Sequence, residues 1–371
     1  MKTPHFSLRH SLWAFIVLLS LSSWLAAAPL KTRNVVFVTT DGLRWQEVFR
    51  GADSAIMNKE FGGVPDAAKL TEEFGADTPE ARREKLLPFI WGEVAKHGQI
   101  YGNRDAGSTS DVTNGRWFSY PGYSEFLTGH PDARITSNRP IPNPNVNVFE
   151  WLQGRPGFAA KVFACNAWQA LPAILNEGRS HLPMWTAGLK SGPGIVTPRL
   201  AELDQLISEI PSPWGDEHFD AFVHHAALDV IDTRCPRALY VNFGETDDWA
   251  HGRRYDRYLQ SAHRFDRAVQ DFWTKLQSLP QYRSCTTLVL TTDHGRGETP
   301  KDWTSHGESV PNSGQMWMAA LGPDTPALGE RKNCAPVVQA QVAATIARFL
   351  GEDYRAAVPE AAEPVAEMFA K

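Results

Sequence analysis

The sequence has 371 residues, 42% hydrophobic and 21% charged, with a formal net charge of −5. That is an ordinary globular balance, able to bury a core, and with no basic excess there is no field to draw in nucleic acid. Thirteen tryptophans are many for this length; they read as buried structural rings or as the walls of a cleft.

The chain opens on Lys2, His5, Arg9 and His10, followed by the apolar run Leu12–Leu21 and the small residues Ala26, Ala27 and Ala28. A basic start, a short apolar run and a small-residue zone form an export signal, and the run is too short to span a bilayer. Residues 1–28 are therefore expected to be a signal peptide and 29–371 the working domain. The product would be periplasmic or secreted, with no stable membrane span once the signal is cut. Four cysteines remain: Cys165, Cys235, Cys285 and Cys334. None forms a Cys-x-x-Cys pair, so a thiolate metal site is not suggested. In an oxidising compartment disulfides and buried thiols are both open readings, with Cys235–Cys285 the preferred pair because each precedes a predicted strand.

Asn34–Thr40 is a β-branched apolar run, a buried strand closed by Asp41-Gly42. Residues 51–80 look irregular. Ala81–Lys96 carries helical periodicity, with Pro88 placed to start or kink it. Ile100–Gly102 reads as a short strand and 107–115 as a polar loop. This loop delivers Trp117-Phe-Ser-Tyr-Pro-Gly-Tyr-Ser-Glu-Phe-Leu-Thr-Gly129. Pro121 suits the first turn of a helix, so Ser119 falls at or just before a helix N-terminus, where free N–H groups favour an anion. Ser119 is then either a cap or a nucleophile; Ser124 is a weaker rival.

Beyond Gly129, residues 138–147 form a Pro/Asn-rich loop, with Asn145 or Asn147 placed to cap a helix from Val148. Lys161–Cys165 is a strand, 168–194 irregular, and 200–210 and 218–232 helical. The strand Arg237–Gly244 delivers Glu245-Thr-Asp-Asp-Trp-Ala-His251, and a long helix runs from Tyr255 to Gln277. Thr286–Thr292 is the clearest strand and ends in Asp293-His294-Gly295; Ser305-His306-Gly307 follows in a loop. A late strand at 316–321 and a helix at 337–350 close the chain. Strands alternating with helices give an α/β fold, a mostly parallel central sheet with helices on both faces.

Three strands thus end in acids, Asp41, Asp247 and Asp293, and histidines accompany two of them. Carboxylates and imidazoles gathered at one sheet edge suit a divalent cation, and zinc accepts such a mixed set. Thr-Thr-Asp-Gly (39–42), Ser-Tyr-Pro-Gly-Tyr (119–123), Glu-Thr-Asp-Asp-Trp-Ala-His (245–251), Thr-Asp-His-Gly (292–295) and Ser-His-Gly (305–307), in this order, resemble the alkaline phosphatase superfamily. The resemblance is nearest to its nucleotide pyrophosphatase/phosphodiesterase-like branch. It implies two metal ions, usually zinc. One would be held by Asp247, His251 and His306, the other by Asp41, Asp293, His294 and the Ser119 oxygen. It also implies a phosphoseryl intermediate at Ser119 and an Asn near position 138 that holds a phosphoryl oxygen; Asn138 is equally readable as a loop residue. The branch usually has Thr at the nucleophile and Asn where Gly122 stands, which opens the question of substrate. Sulfatases of the superfamily carry Arg where Tyr123 stands, which argues against that activity. The resemblance thus implies an exported metal-dependent phosphoric ester hydrolase, a phosphodiesterase or phosphomonoesterase acting on a small-molecule ester. Phosphonate hydrolysis, a phosphomutase or a non-catalytic binding protein are the alternatives.

Overall fold

The computed structural model describes Met1 and residues 30–190 and 195–369; the expected signal peptide lies, apart from Met1, outside them. Ten strands occur among the described residues: β1 (Asn34–Thr40), β2 (Gln99–Tyr101), β3 (Ser110–Asp111), β4 (Val162–Asn166), β5 (Met184–Thr186), β6 (Ala238–Phe243), β7 (Thr286–Thr291), β8 (Met318–Leu321), β9 (Gly329–Glu330) and β10 (Val337–Val338). Eight of them form one sheet in the order β5-β4-β6-β1-β7-β8-β2-β9, and β3 pairs with β10 separately. The first five in that order run parallel, and β8 reverses against both β7 and β2.

β1 is central because every residue in it is buried and all after Asn34 are β-branched or aromatic. Its alternating side chains feed two cores, as a strand with both faces covered must. Val36 and Val38 pack on one face with Leu259, Phe265, Val269 and Phe272 of the helix Tyr255–Ser278 and with Val223 and Val230 of the helix Asp220–Arg234. Val35 and Phe37 pack on the other with Tyr123 and Phe126 of the helix Ser119–Thr128 and Ile346 of the helix Gln341–Phe349. Leu30–Ala370 is one compact unit. Among the described residues no helix is long and apolar enough to cross a membrane.

Register brings the acids together. Thr40 lies beside Phe243 and Thr39 beside Thr291, so β1, β6 and β7 release Asp41, Gly244 and Asp293 at the same edge. Three sequence expectations change. The 81–96 helix is broken: an α-helix ends at Leu86, and after Pro88 the chain winds more widely over Ile90–Val94. The "irregular" 51–80 region contains the helices Lys59–Gly62 and Ala67–Phe74, started by the side chains of Asn58 and Asp66, which accept from the third residue on. The Cys235–Cys285 disulfide is not formed, and all four cysteines are free. Gln281 stands by both thiols, and its side-chain amide donates to Cys235 Sγ at 3.8 Å. The Cys285 thiol instead donates to the Gln281 carbonyl at 3.3 Å.

Candidate metal centre

Ser119 is the first residue of its helix, entered from an extended Phe118. The first-turn N–H groups have no intrahelical partner, and the Tyr120 N–H donates to Asn138 Oδ1 at 2.9 Å. Asn138 is thus tied by its carbonyl to the turn that carries Ser119, which leaves its amide NH2 group to donate. Gly122 explains its own departure from the expected Asn: a Cβ there would collide with the Asp293 carbonyl, so only glycine lets this helix approach β7 so closely. Ser124 is buried and accepts from Asn143 Nδ2 at 3.0 Å, away from the centre.

Around His294 the donors converge. Its Nε2 lies 3.3 Å from Asp41 Oδ1, 3.3 Å from Asp293 Oδ2 and 3.5 Å from Ser119 Oγ. Its Nδ1–H donates to the Gly295 carbonyl at 2.8 Å, which leaves Nε2 free as a ligand atom. Each carboxylate is half anchored. Asp41 Oδ2 accepts from the Tyr123 hydroxyl at 3.0 Å, and Asp293 Oδ1 from the Gly42 N–H at 3.0 Å. The other two oxygens, Asp41 Oδ1 and Asp293 Oδ2, are buried without a hydrogen-bond partner. Asn242 Nδ2 donates to the Tyr123 oxygen at 2.6 Å and fixes its direction.

The second cluster sits beside the first. Asp247 and His251 are one turn apart on the helix Glu245–His251, with Oδ2 and Nε2 3.1 Å apart. His306 Nε2 is 3.0 Å from His251 Nε2 and 3.6 Å from Asp247 Oδ1. The His306 Nδ1–H donates to the Trp117 carbonyl at 3.2 Å. Trp117 takes up the left-handed conformation, φ 53°, a strain that brings its carbonyl to this contact. His306 stacks on His294 with centroids 3.9 Å apart, joining the clusters. The guanidinium of Arg296, fully buried, donates to Asp247 and to the carbonyls of Trp303 and Thr304. A Cβ on Gly42 (φ 59°) would lie 2.7 Å from both Arg296 Nη1 and Asp247 Oδ1, so glycine is required there.

Electrostatics match this arrangement. Burial, then the charge of Asp247, pushes the Asp41 carboxyl well up; burial, then Asp41, does the same to Asp293. Burial, then His294, pushes His306 well down. Burial would also raise Asp247, but Arg296, with His251 and His306, holds it well below the usual range. Three carboxylates crowded in a dry edge repel one another unless cations stand between them. The unpartnered oxygens, the free Nε2 atoms and the mixed N/O donor set fit such ions. Two groups, Asp41/Asp293/His294 and Asp247/His294/His306, bring ligand atoms within 4.8 Å of one another.

All the residues singled out from sequence, Asp41, Ser119, Asn138, Asp247, His251, Asp293, His294 and His306, therefore border one centre. Sequence reasoning missed Tyr123, Asn242 and Arg296. The signal for Arg296 was its place two residues after His294, but only the fold shows it reaching Asp247. Arg179, in the 168–194 segment, is paired with Glu150 at 2.6 Å.

Parallel strands ending in these acids, beside a serine-headed helix, make an alkaline-phosphatase-like fold. Residues 207–349, which include Asp247, His251, Asp293, His294 and His306, match the model of the Metalloenzyme superfamily. Among solved structures, the chain is similar to the alkaline phosphatase PafA (TM-score 0.59, 12% identity, covering 93% of this chain and 100% of that one). It is also similar to Ps i-CgsB in complex with k-i-k-neocarrahexaose (TM-score 0.57, 14% identity, 91% and 75%). A third is the phosphonate monoester hydrolase SpPMH from Silicibacter pomeroyi (TM-score 0.53, 13% identity, 92% and 78%). No curated protein matches the sequence.

Proposed function

We infer that this protein is an exported hydrolase of small phosphoric esters, diesters or monoesters, and that Ser119 is its nucleophile. One observation carries the reading: Ser119 Oγ meets the same His294 nitrogen that the two unpartnered carboxylate oxygens face. Asp41, Asp293, His294 and Ser119 would hold one divalent cation, zinc by its donor preference, and Asp247, His251 and His306 a second. Bound there, the pair would lower the pKa of the serine hydroxyl and offset charge on the departing oxygen.

The chain's own residues do the rest. The helix start holds Ser119 in line with the phosphorus, and its oxygen forms the new P–O bond as the P–OR bond breaks and the alcohol leaves with a proton. Asn138 donates its NH2 group to a non-bridging oxygen, helped by the positive end of the helix. Water then cleaves the phosphoseryl bond and restores the hydroxyl. Tyr123, engaged with Asp41, leaves no arginine at the place where the sulfatase motif has one, which supports phosphorus over sulfur. Ser119→Ala should abolish turnover of aryl phosphate esters by zinc-loaded protein, while Ser119→Thr keeps it. Undiminished turnover by the alanine variant would refute the mechanism. Side-by-side rates on monoesters, diesters, phosphonates and sulfate esters rank the substrates.

A further inference from the structure

Beyond the Asp247 cluster, over β4 and β6, segment 214–219 crosses the same sheet edge. Gln169 N–H donates to the Asp216 carbonyl at 2.9 Å, His218 N–H to that of Ala167 at 3.3 Å, and Trp168 bridges to Glu217. This clamps Glu217 against Gly244, where its carboxylate occupies the space a side chain on Gly244 would need. Glu217 is 9% exposed and its Oε1 has no hydrogen-bond partner; Asp248 Oδ2, on the adjoining helix, has none either. Among the described residues neither carboxylate is paired with a base. Burial, then the charge of Asp248, pushes Glu217 well up. Two buried carboxylate oxygens on adjoining segments, each without a partner, call for a functional account.

The surroundings say what kind of cation would fit. Trp249 directly follows Asp248; Trp214 meets Trp249 edge-on at 5.0 Å and Phe219 at 5.0 Å. Trp168 donates its indole N–H to Asp216 and packs 6.0 Å from Tyr123, whose hydroxyl holds Asp41. Neither Glu217 nor Asp248 joins a group of three converging metal-ligand atoms among the described residues. Carboxylates on segments that also carry Trp168, Trp214, Phe219 and Trp249 suit an alkylammonium group better than a metal ion, which needs several oxygens.

We propose that Glu217 and Asp248 receive the ammonium group of the substrate, so that the preferred esters are those of short amino or quaternary-ammonium alcohols. The short linker follows from position, since Asp248 is the residue next to Asp247 of the centre. The inference rests on the phosphoric ester reading, and its test separates the two.

The first arm needs no turnover: choline is titrated into the zinc-loaded full-length protein and binding is read by tryptophan fluorescence. Saturable binding is expected, weakened about 10- to 30-fold in Glu217→Gln and in Asp248→Asn. Absence of binding, binding unchanged in both variants, or magnesium displacing choline through Glu217 would overturn the proposal. The second arm compares kcat/KM for p-nitrophenyl phosphorylcholine and its neutral 3,3-dimethylbutyl isostere. A wild-type preference of about 10-fold or more for the charged ester, collapsing toward one in Glu217→Gln, is expected. Equal rates sink the ammonium site and leave the hydrolase standing. Choline binding with no Ser119-dependent turnover of either ester sinks the hydrolase and leaves the cation site.

Discussion

The two halves of the centre are built differently. The Asp41/Asp293/His294 half leaves directly from β1 and β7, and its side chains are almost wholly buried. The Asp247/His251/His306 half rides on a seven-residue helix and a loop, and His251 is 49% exposed. Strand ends fixed on both sides by neighbours cannot shift without breaking the sheet, whereas a short helix is held by its own contacts. Here those contacts are reciprocal: Asp220 accepts from the Gly244 N–H at 2.8 Å, and Glu245 accepts from the Asp220 N–H at 2.9 Å. One half is thus closed in the strand ends, the other more open on its short helix.

The contrast can be broken by mutation. Asp293→Asn should cost about three orders of magnitude in kcat/KM, a few kcal/mol of lost transition-state stabilisation, along with bound zinc measured by elemental analysis. His251→Ala should cost only about 10- to 100-fold and recover as zinc is raised; equal, unrescued losses in the two variants would erase the distinction. Arg296→Met leaves Asp247 without its guanidinium and should weaken one of two bound ions about 10- to 100-fold, seen as stepwise loss to a chelator. Arg296→Lys should not restore it, because one ammonium cannot span Asp247 and the two carbonyls of Trp303 and Thr304 as the planar guanidinium does. Tyr123→Phe removes the donor to Asp41 and should slow turnover about 10-fold with the closed half otherwise intact.

The smallest effect on activity is expected at Asp266, which belongs to neither half and isolates burial from crowding. It accepts from the N–H groups of Phe89 and Ile90, at 2.8 Å each, and burial raises its pKa from 3.8 to about 7. The folded chain therefore keeps this proton at pH values where the unfolded chain has lost it. The associated stability is full below pH 3.8 and lost as pH rises to about 7. Urea melts of Asp266→Asn should lack that decline; an identical pH slope would assign it elsewhere.

Much of this was legible because strand-end acids are local signals: a β-branched run followed by Asp marks both an element and its edge. β1, β6 and β7 were readable within a residue or two, as was the helix from Tyr255. The convergence of Asp41 with Asp293 needed only the parallel topology. What sequence did not carry was reach. Arg296 and Tyr123 matter through side chains extending to partners 49 and 82 residues away, and no periodicity records that. The break at Pro88 was foreseeable, the wide turn after it was not, because Asp266 holds its first N–H groups from another helix. The helices Lys59–Gly62 and Ala67–Phe74 were too short for an apolar stripe to show.

The position of β1 carries a consequence for biosynthesis. It is made early, yet its two neighbours in the sheet follow about 200 and 250 residues later, pairings of high sequence separation that form slowly. A nascent chain halted before residue 286 has β1 bare on one side and holds neither Asp293 nor His294. Any cation-holding by the closed half therefore waits for a chain long enough to include Asp293 and His294, and a shorter one lacks that donor set on its way out of the ribosome.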